Sequence, residues 1–134
     1  MISTELARAL RDSGLVWKPR AGDAFRIDLV EADDELFVLS DMTVEAHEFS
    51  TGTVIGFNGT TEWALDSVGI DEALWHPHEH QLREALGPAF VSLTLIDGYT
   101  VTAVIDTVTS TFRADVATDA YAKALLRLLD SLVA

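Results

Sequence analysis

The feature that most limits the fold is a pair of tight-turn dipeptides, Asn58-Gly59 and Asp97-Gly98, each set between runs of apolar and β-branched residues. A two-residue type I′ turn needs positive φ at both central positions, which Asn-Gly and Asp-Gly supply at little steric cost. Each dipeptide therefore predicts two antiparallel strands joined directly. Around the first, residues 53–57 run into a strand that begins at Thr60, with Trp63 and Leu65 on one face and Glu62 and Ala64 on the other. Around the second, the strands are Phe90–Ile96 and Tyr99–Asp106. Ser50-Thr51-Gly52 predicts a three-residue hairpin loop that joins extended residues 43–49 to Thr53, with Gly52 in the left-handed position.

Upstream, Phe25, Ile27 and Leu29 alternate with Arg26 and Asp28, the pattern of a strand with one wet face, and Leu36-Phe37-Val38-Leu39 reads as a buried strand. Three segments carry the helical period instead. The first has Ser3 as N-cap, Leu6, Ala9 and Leu10 on one face, and Gly14 as its stop. The second starts with Pro77 in its first position, buries Leu82, Ala85 and Leu86, and ends at Gly87-Pro88. The third begins near Thr118. Its core face is Tyr121, Ala124, Leu125, Leu128 and Leu132, its wet face is Lys123, Arg127 and Asp130, and Asp119 with Lys123 forms an i,i+4 pair. Hairpin-linked strands with helices at the ends and one between give an α+β class, expected as one twisted antiparallel sheet packed by three helices. With 134 residues and no linker-like stretch, the expectation is one domain spanning 1–134.

Composition narrows function mainly by exclusion. The absence of cysteine removes disulfide scaffolds, thiol nucleophiles and Cys-based metal sites. No secretion signal opens the chain and no apolar run is long enough for a membrane span, so a cytoplasmic protein without membrane contact is expected. Nine basic against 22 acidic residues give a net charge of −13, which repels phosphate backbones and excludes a basic nucleic-acid stripe. The charge is uneven. Residues 1–20 hold four basic and two acidic side chains, whereas 31–48 hold Glu31, Asp33, Asp34, Glu35, Asp41, Glu45 and Glu48 with no Lys or Arg.

The one chemically dense run is Trp75-His76-Pro77-His78-Glu79-His80, which carries three of the four histidines. On a strand His76, His78 and His80 would project from one face and could share a divalent ion. On the helix that Pro77 predicts, His80 and Glu84 lie four apart, His76 extends that stripe or caps the helix, and His78 points elsewhere. His47 with Glu45 is the nearest source of further ligands, and His47 is a general base by composition alone, with no nucleophile to serve. The acidic residues between 31 and 41 lack the spaced Asp/Asn, central Gly and terminal Glu of an EF-hand loop and read as a solvated turn. Trp17, Trp63 and Trp75 are large enough to anchor an interface or line a ligand pocket, but Trp17-Lys18-Pro19 is echoed by Trp75-His76-Pro77 at the entry to an element, and both tryptophans read as plugs at the edge of the core. No dinucleotide, P-loop, nucleophile-elbow or zincin motif is present.

Several segments together, ISTELARALRDSGLVWKPRAGDAF, FVLSDMTVEAHEF, VIGFNGTTEWALDSV, EALWHPHEHQLREALG and AYAKALLRLL, are similar to a group of short actinobacterial proteins often labelled pilus assembly protein CpaE. The resemblance runs nearly end to end and consists of structural punctuation. It implies that Pro77, Gln81 and Leu82 matter more than histidine at 78 or 80, and it carries no nucleotide-binding loop.

The expectation that follows is a non-enzymatic, cofactor-free interaction module. Its contact surface would be Glu31, Asp33, Asp34, Glu35, Glu45 and Glu48, and its partner a basic protein. Metal binding through His76, His78 and His80, and a small-molecule pocket lined by Trp and Phe, are the alternatives. The oligomeric state stays open, with a symmetric homodimer the commonest outcome for a chain with exposed sheet edges.

Overall fold

The computed structural model describes residues 1–27, 36–39, 44–49, 52–57, 67–69 and 72–133. Their order is α1 (Thr4–Asp12), β1 (Ala24–Ile27), β2 (Phe37–Val38), β3 (Val44–Phe49), β4 (Gly52–Phe57), β5 (Ser67–Gly69), β6 (Ala73–His76), α2 (Glu79–Leu86), β7 (Phe90–Leu95), β8 (Tyr99–Ile105), β9 (Val108–Ala114) and α3 (Ala117–Val133). The class is α+β. Instead of the single sheet expected, the described strands form three sheets of three, in the orders β2-β1-β6, β3-β4-β5 and β7-β8-β9. The chain divides into two compact units, Met1–Val16 with His76–Ala134, and Trp17–Trp75.

In the first unit α3 lies across β8 and β9 and meets α1 and α2. Register fixes which residues it covers. Tyr99, Val101, Ala103 and Ile105 of β8 share a face with Leu93 and Leu95 of β7 and with Val108, Ser110, Phe112 and Ala114 of β9. Val101 and Ala103 there are fully buried, as are Leu82 of α2 and Ala120, Ala122 and Ala124 of α3, and Leu10, Leu86, Tyr121 and Leu125 are nearly so. Each large side chain so buried contributes roughly 1.5–3 kcal/mol. The small side chains Ala120, Ala122 and Ala124 let α3 sit close to its neighbours, and the Phe90 and Tyr121 rings stack with centroids 5.6 Å apart. The sheet's other face carries Ser92, Thr94, Thr100, Thr102, Thr109, Thr111 and Arg113 and is polar throughout except for Val104.

The helix ends follow their capping residues. Ser3 Oγ accepts the Leu6 N–H at 3.2 Å, and Gly14, with φ of 107°, takes the chain out of α1. In α1 Leu10 is buried as expected, together with Ala7, while Leu6 and Ala9 are half-buried. α2 starts at Glu79 with His78 as N-cap, leaving Pro77 buried just outside it. Gln81 Oε1 accepts the His78 N–H at 2.9 Å, one half of a capping box. Leu82 and Leu86 are buried as expected, but Ala85 is exposed and Gln81 is buried in its stead, because burial depends on what packs opposite the helix. On α3, Tyr121, Ala124 and Leu125 are buried as expected, but Leu132 is 72% exposed, since it lies on the last turn. Asp119 accepts the Ser3 N–H at 2.8 Å, and Lys123 donates to the Arg113 carbonyl at 2.7 Å, so both serve tertiary contacts rather than pairing with each other.

Two hairpins differ from expectation. The loop after β7 has three residues, Ile96-Asp97-Gly98, because Leu95 pairs with Tyr99. β8 then turns through Asp106 and Thr107, with φ of 51° and 66°, into β9, a strand that the turn rules do not announce because neither residue is Gly or Asn.

In the second unit β1 pairs antiparallel with β2, Ala24 opposite Val38 and Phe25 opposite Phe37. The buried strand expected over Leu36–Leu39 shrinks to two residues, and Val38 is 62% exposed. β3 and β4 are antiparallel from Val44 opposite Phe57 to Phe49 opposite Gly52, so Gly52 belongs to the strand and two residues close that hairpin. β5 adds to β4 through Val54–Gly69, Ile55–Val68 and Gly56–Ser67. The Asn58-Gly59 turn, Trp63, Leu65 and the acidic turn at 31–35 lie outside the described residues.

Candidate functional site

The densest polar construction in the second unit starts from Pro19, which breaks the chain after Trp17, and Gly22, whose φ of 91° reverses it. The reversal returns Asp23 beneath Trp17. Asp23 Oδ2 accepts the Trp17 indole N–H at 2.9 Å and the Arg20 backbone N–H at 3.0 Å, while the Asp23 N–H reaches the Arg20 carbonyl at 3.1 Å. The Gly22 N–H donates to the Leu39 carbonyl at 2.7 Å and the Leu39 N–H to the Asp23 carbonyl at 2.9 Å, tying the turn to the end of β2. Asp23 is only 3% exposed. Burying a carboxylate is costly unless charge-assisted hydrogen bonds compensate, and here the donors surround it. Its oxygen is committed to holding a turn, which makes Asp23 an architectural residue.

Trp17 in turn leads the aromatic cluster. Its ring stacks on Trp75 at 6.4 Å and 11° and meets Phe25 at 5.6 Å, and Phe25 stacks on Phe37 at 5.6 Å. The two tryptophans of the echoed Trp-x-Pro sequences thus pack against each other, Trp17 buried and Trp75 half-buried. These four rings fill the space between themselves with Leu39, Ala73 and Ile27. Among the described residues the Trp75 indole nitrogen and Arg26 Nε and Nη1 are buried without a hydrogen-bond partner.

The histidine run does not converge. His76 ends β6 and is fully buried, His78 caps α2, and His80 is exposed on its first turn. The rings of His78 and His80 stack at 5.7 Å and 12°, so two of the three expected ligands are brought together and the third is not. Among the described residues no group of three or more His, Cys, Asp or Glu is placed to hold a metal ion. Pro77, Gln81 and Leu82 beside it are buried.

Of the expected interaction surface, Glu31, Asp33, Asp34 and Glu35, with Asp41, lie outside the described residues. In the sequence the first four fall between β1 and β2, which pair through Ala24–Val38 and Phe25–Phe37. Glu45, His47 and Glu48 are on β3, with Gly56, Val54 and Thr53 of β4 as their register partners. The sequence offers Asp23 as part of a Gly22-Asp23 turn, without a role for its side chain. The signal for that role was an Asp placed just after Pro19 and Gly22, where a short acidic side chain caps a turn backbone.

No protein-family model, curated protein or solved structure matches the chain. No helix among the described residues is long and apolar enough to cross a membrane.

Proposed function

We propose that this chain is a non-enzymatic, cytoplasmic interaction module that binds a basic protein through the acidic stretch at 31–48. The observation that carries the reading is the placement of charge: seven carboxylates and no Lys or Arg within that stretch of the sequence. Five acidic residues, Asp28, Glu31, Asp33, Asp34 and Glu35, fall between β1 and β2 in the sequence. A field of one sign steers an oppositely charged partner and sets the rate and salt dependence of encounter more than its final affinity. Glu45 and Glu48 belong to β3, which follows that connection in the sequence.

The test uses the full chain as bait at low ionic strength beside the triple reversal Asp33→Lys, Asp34→Lys, Glu35→Lys. A basic protein held by the wild type is expected to be lost from the reversal variant and released from the wild type by moderate salt. Retention of the same protein by both baits, unaffected by salt, would remove the acidic stretch from the interface.

A further inference from the structure

We infer that the outer edge of β9, which pairs with no further strand among the described residues, is a homodimer interface, with two copies joined antiparallel about Thr111 into one six-stranded sheet. The inference is independent of the acidic stretch, which belongs to the other compact unit.

The two outer strands of the β7-β8-β9 sheet are built differently. β7 has a register shift between Phe90 and Ser92, so Val91 is an extra residue that bends that edge. Bulges of this kind blunt an edge against pairing. β9 pairs with β8 without interruption over seven residues, contains no Pro, and has no acidic residue in a chain of net charge −13. It is open to solvent at Thr109, Thr111 and Arg113, and Val108 is 59% exposed.

Hairpin geometry says which backbone groups face outward. Ile105 and Val108 flank a two-residue turn and form a hydrogen-bonded pair, and such pairs alternate along an antiparallel ladder. Thr109, Thr111 and Arg113 therefore sit at non-hydrogen-bonded positions with respect to β8, and their N–H and C=O groups point to the open edge. The Lys123 bond to the Arg113 carbonyl, 2.7 Å long, shows that this carbonyl is accessible from outside the ladder.

A second copy fits this edge. A two-fold axis at Thr111 sets Thr111 against itself and Thr109 against Arg113 of the second copy, with about six backbone hydrogen bonds formed between outward groups. On the α3 side of the sheet the same register sets Val108 against Ala114 and Ser110 against Phe112. No two like charges meet. Lys123 places its stripe of α3 beside the β9 edge, and the stripe continues with exposed Arg127 and Asp130. When Thr109 of the second copy takes over the Arg113 carbonyl, the released Lys123 ammonium faces the antiparallel α3 of that copy, where Asp130 offers the complementary charge.

Sedimentation equilibrium on the full chain tests this, with Thr111→Lys, Thr111→Pro and Thr111→Val beside the wild type. Lysine at 111 faces its own twin across the axis, and proline removes an N–H that β8 does not use, which edge strands tolerate. Expected are a wild-type mass twice that of the chain, retained in Thr111→Val, and a Kd raised about tenfold or more in the Lys and Pro variants. Hydrogen exchange on the wild type gives a reading that does not depend on any variant folding: the amides of Thr109, Thr111 and Arg113 should gain protection as concentration rises. A monomeric wild type, an unchanged Kd in both disruptive variants, or a dimer whose three edge amides exchange freely would each overturn the inference.

Discussion

Asp23 shows how one buried side chain can organise a region that sequence patterns describe only as a turn. Removing it leaves the Trp17 indole N–H and the Arg20 N–H without their shared acceptor, and each charge-assisted bond contributes about 1.5–3 kcal/mol. Asp23→Ala is expected to lower the urea midpoint of the transition followed by tryptophan fluorescence by at least one such bond. Asp23→Asn keeps an acceptor oxygen and should lose less; equal stability of all three proteins would deny the turn its role. Tyr121 offers a second handle. Burial first, then the nearby Glu79 carboxylate, raise its phenol above the usual 10.0, with Arg83 opposing. The folded state therefore holds the phenolic proton more tightly than the unfolded chain. Its contribution is complete below pH 10 and is lost as pH climbs from there through the raised folded value. Tyr121→Phe should flatten the alkaline fall in melting temperature, and an unchanged slope would argue against a buried phenol.

At the scale of elements, legibility tracked local chemistry. α1 and α2 end where Gly14 and Gly87 take positive φ, and α1 starts where Ser3 caps it, because these are decisions made within a few residues. Ala85 and Leu132 were misplaced because burial depends on what packs opposite, and α2 begins at His78 only because Gln81 folds back to its N–H. β9 escaped for a different reason: its turn puts Asp106 and the β-branched Thr107 at left-handed φ, where side chains are strained. The β8–β9 ladder on either side and the α3 contact impose that conformation. Thr107→Gly should accordingly stabilise the protein by about 1 kcal/mol in chemical denaturation. A loss of stability would show that the Thr107 hydroxyl, which donates to the Asp106 carbonyl at 2.5 Å, outweighs the strain. The candidate site was legible as charge but not as geometry, since a run of carboxylates gives the sign of a field without saying which strands hold it, and only the β3–β4 register places Glu45 and Glu48 in a sheet.

For the whole molecule, the two units divide the work. Residues 1–16 and 76–134 form a helix-covered sheet whose last strand is kept free of acid, and residues 17–75 contain the carboxylates that give the chain most of its one-sided field. A β9 edge low in charge, unpaired among the described residues, and an acidic stretch in the other unit suit a protein that joins its own kind at one place and a basic partner at another. The most direct measurement of the central claim is hydrogen exchange on the full chain, alone and bound to the basic partner recovered at low salt. Protection gained in peptides covering residues 31–48 is the predicted result. Protection confined to residues 76–134, with 31–48 exchanging as in the free chain, would contradict it.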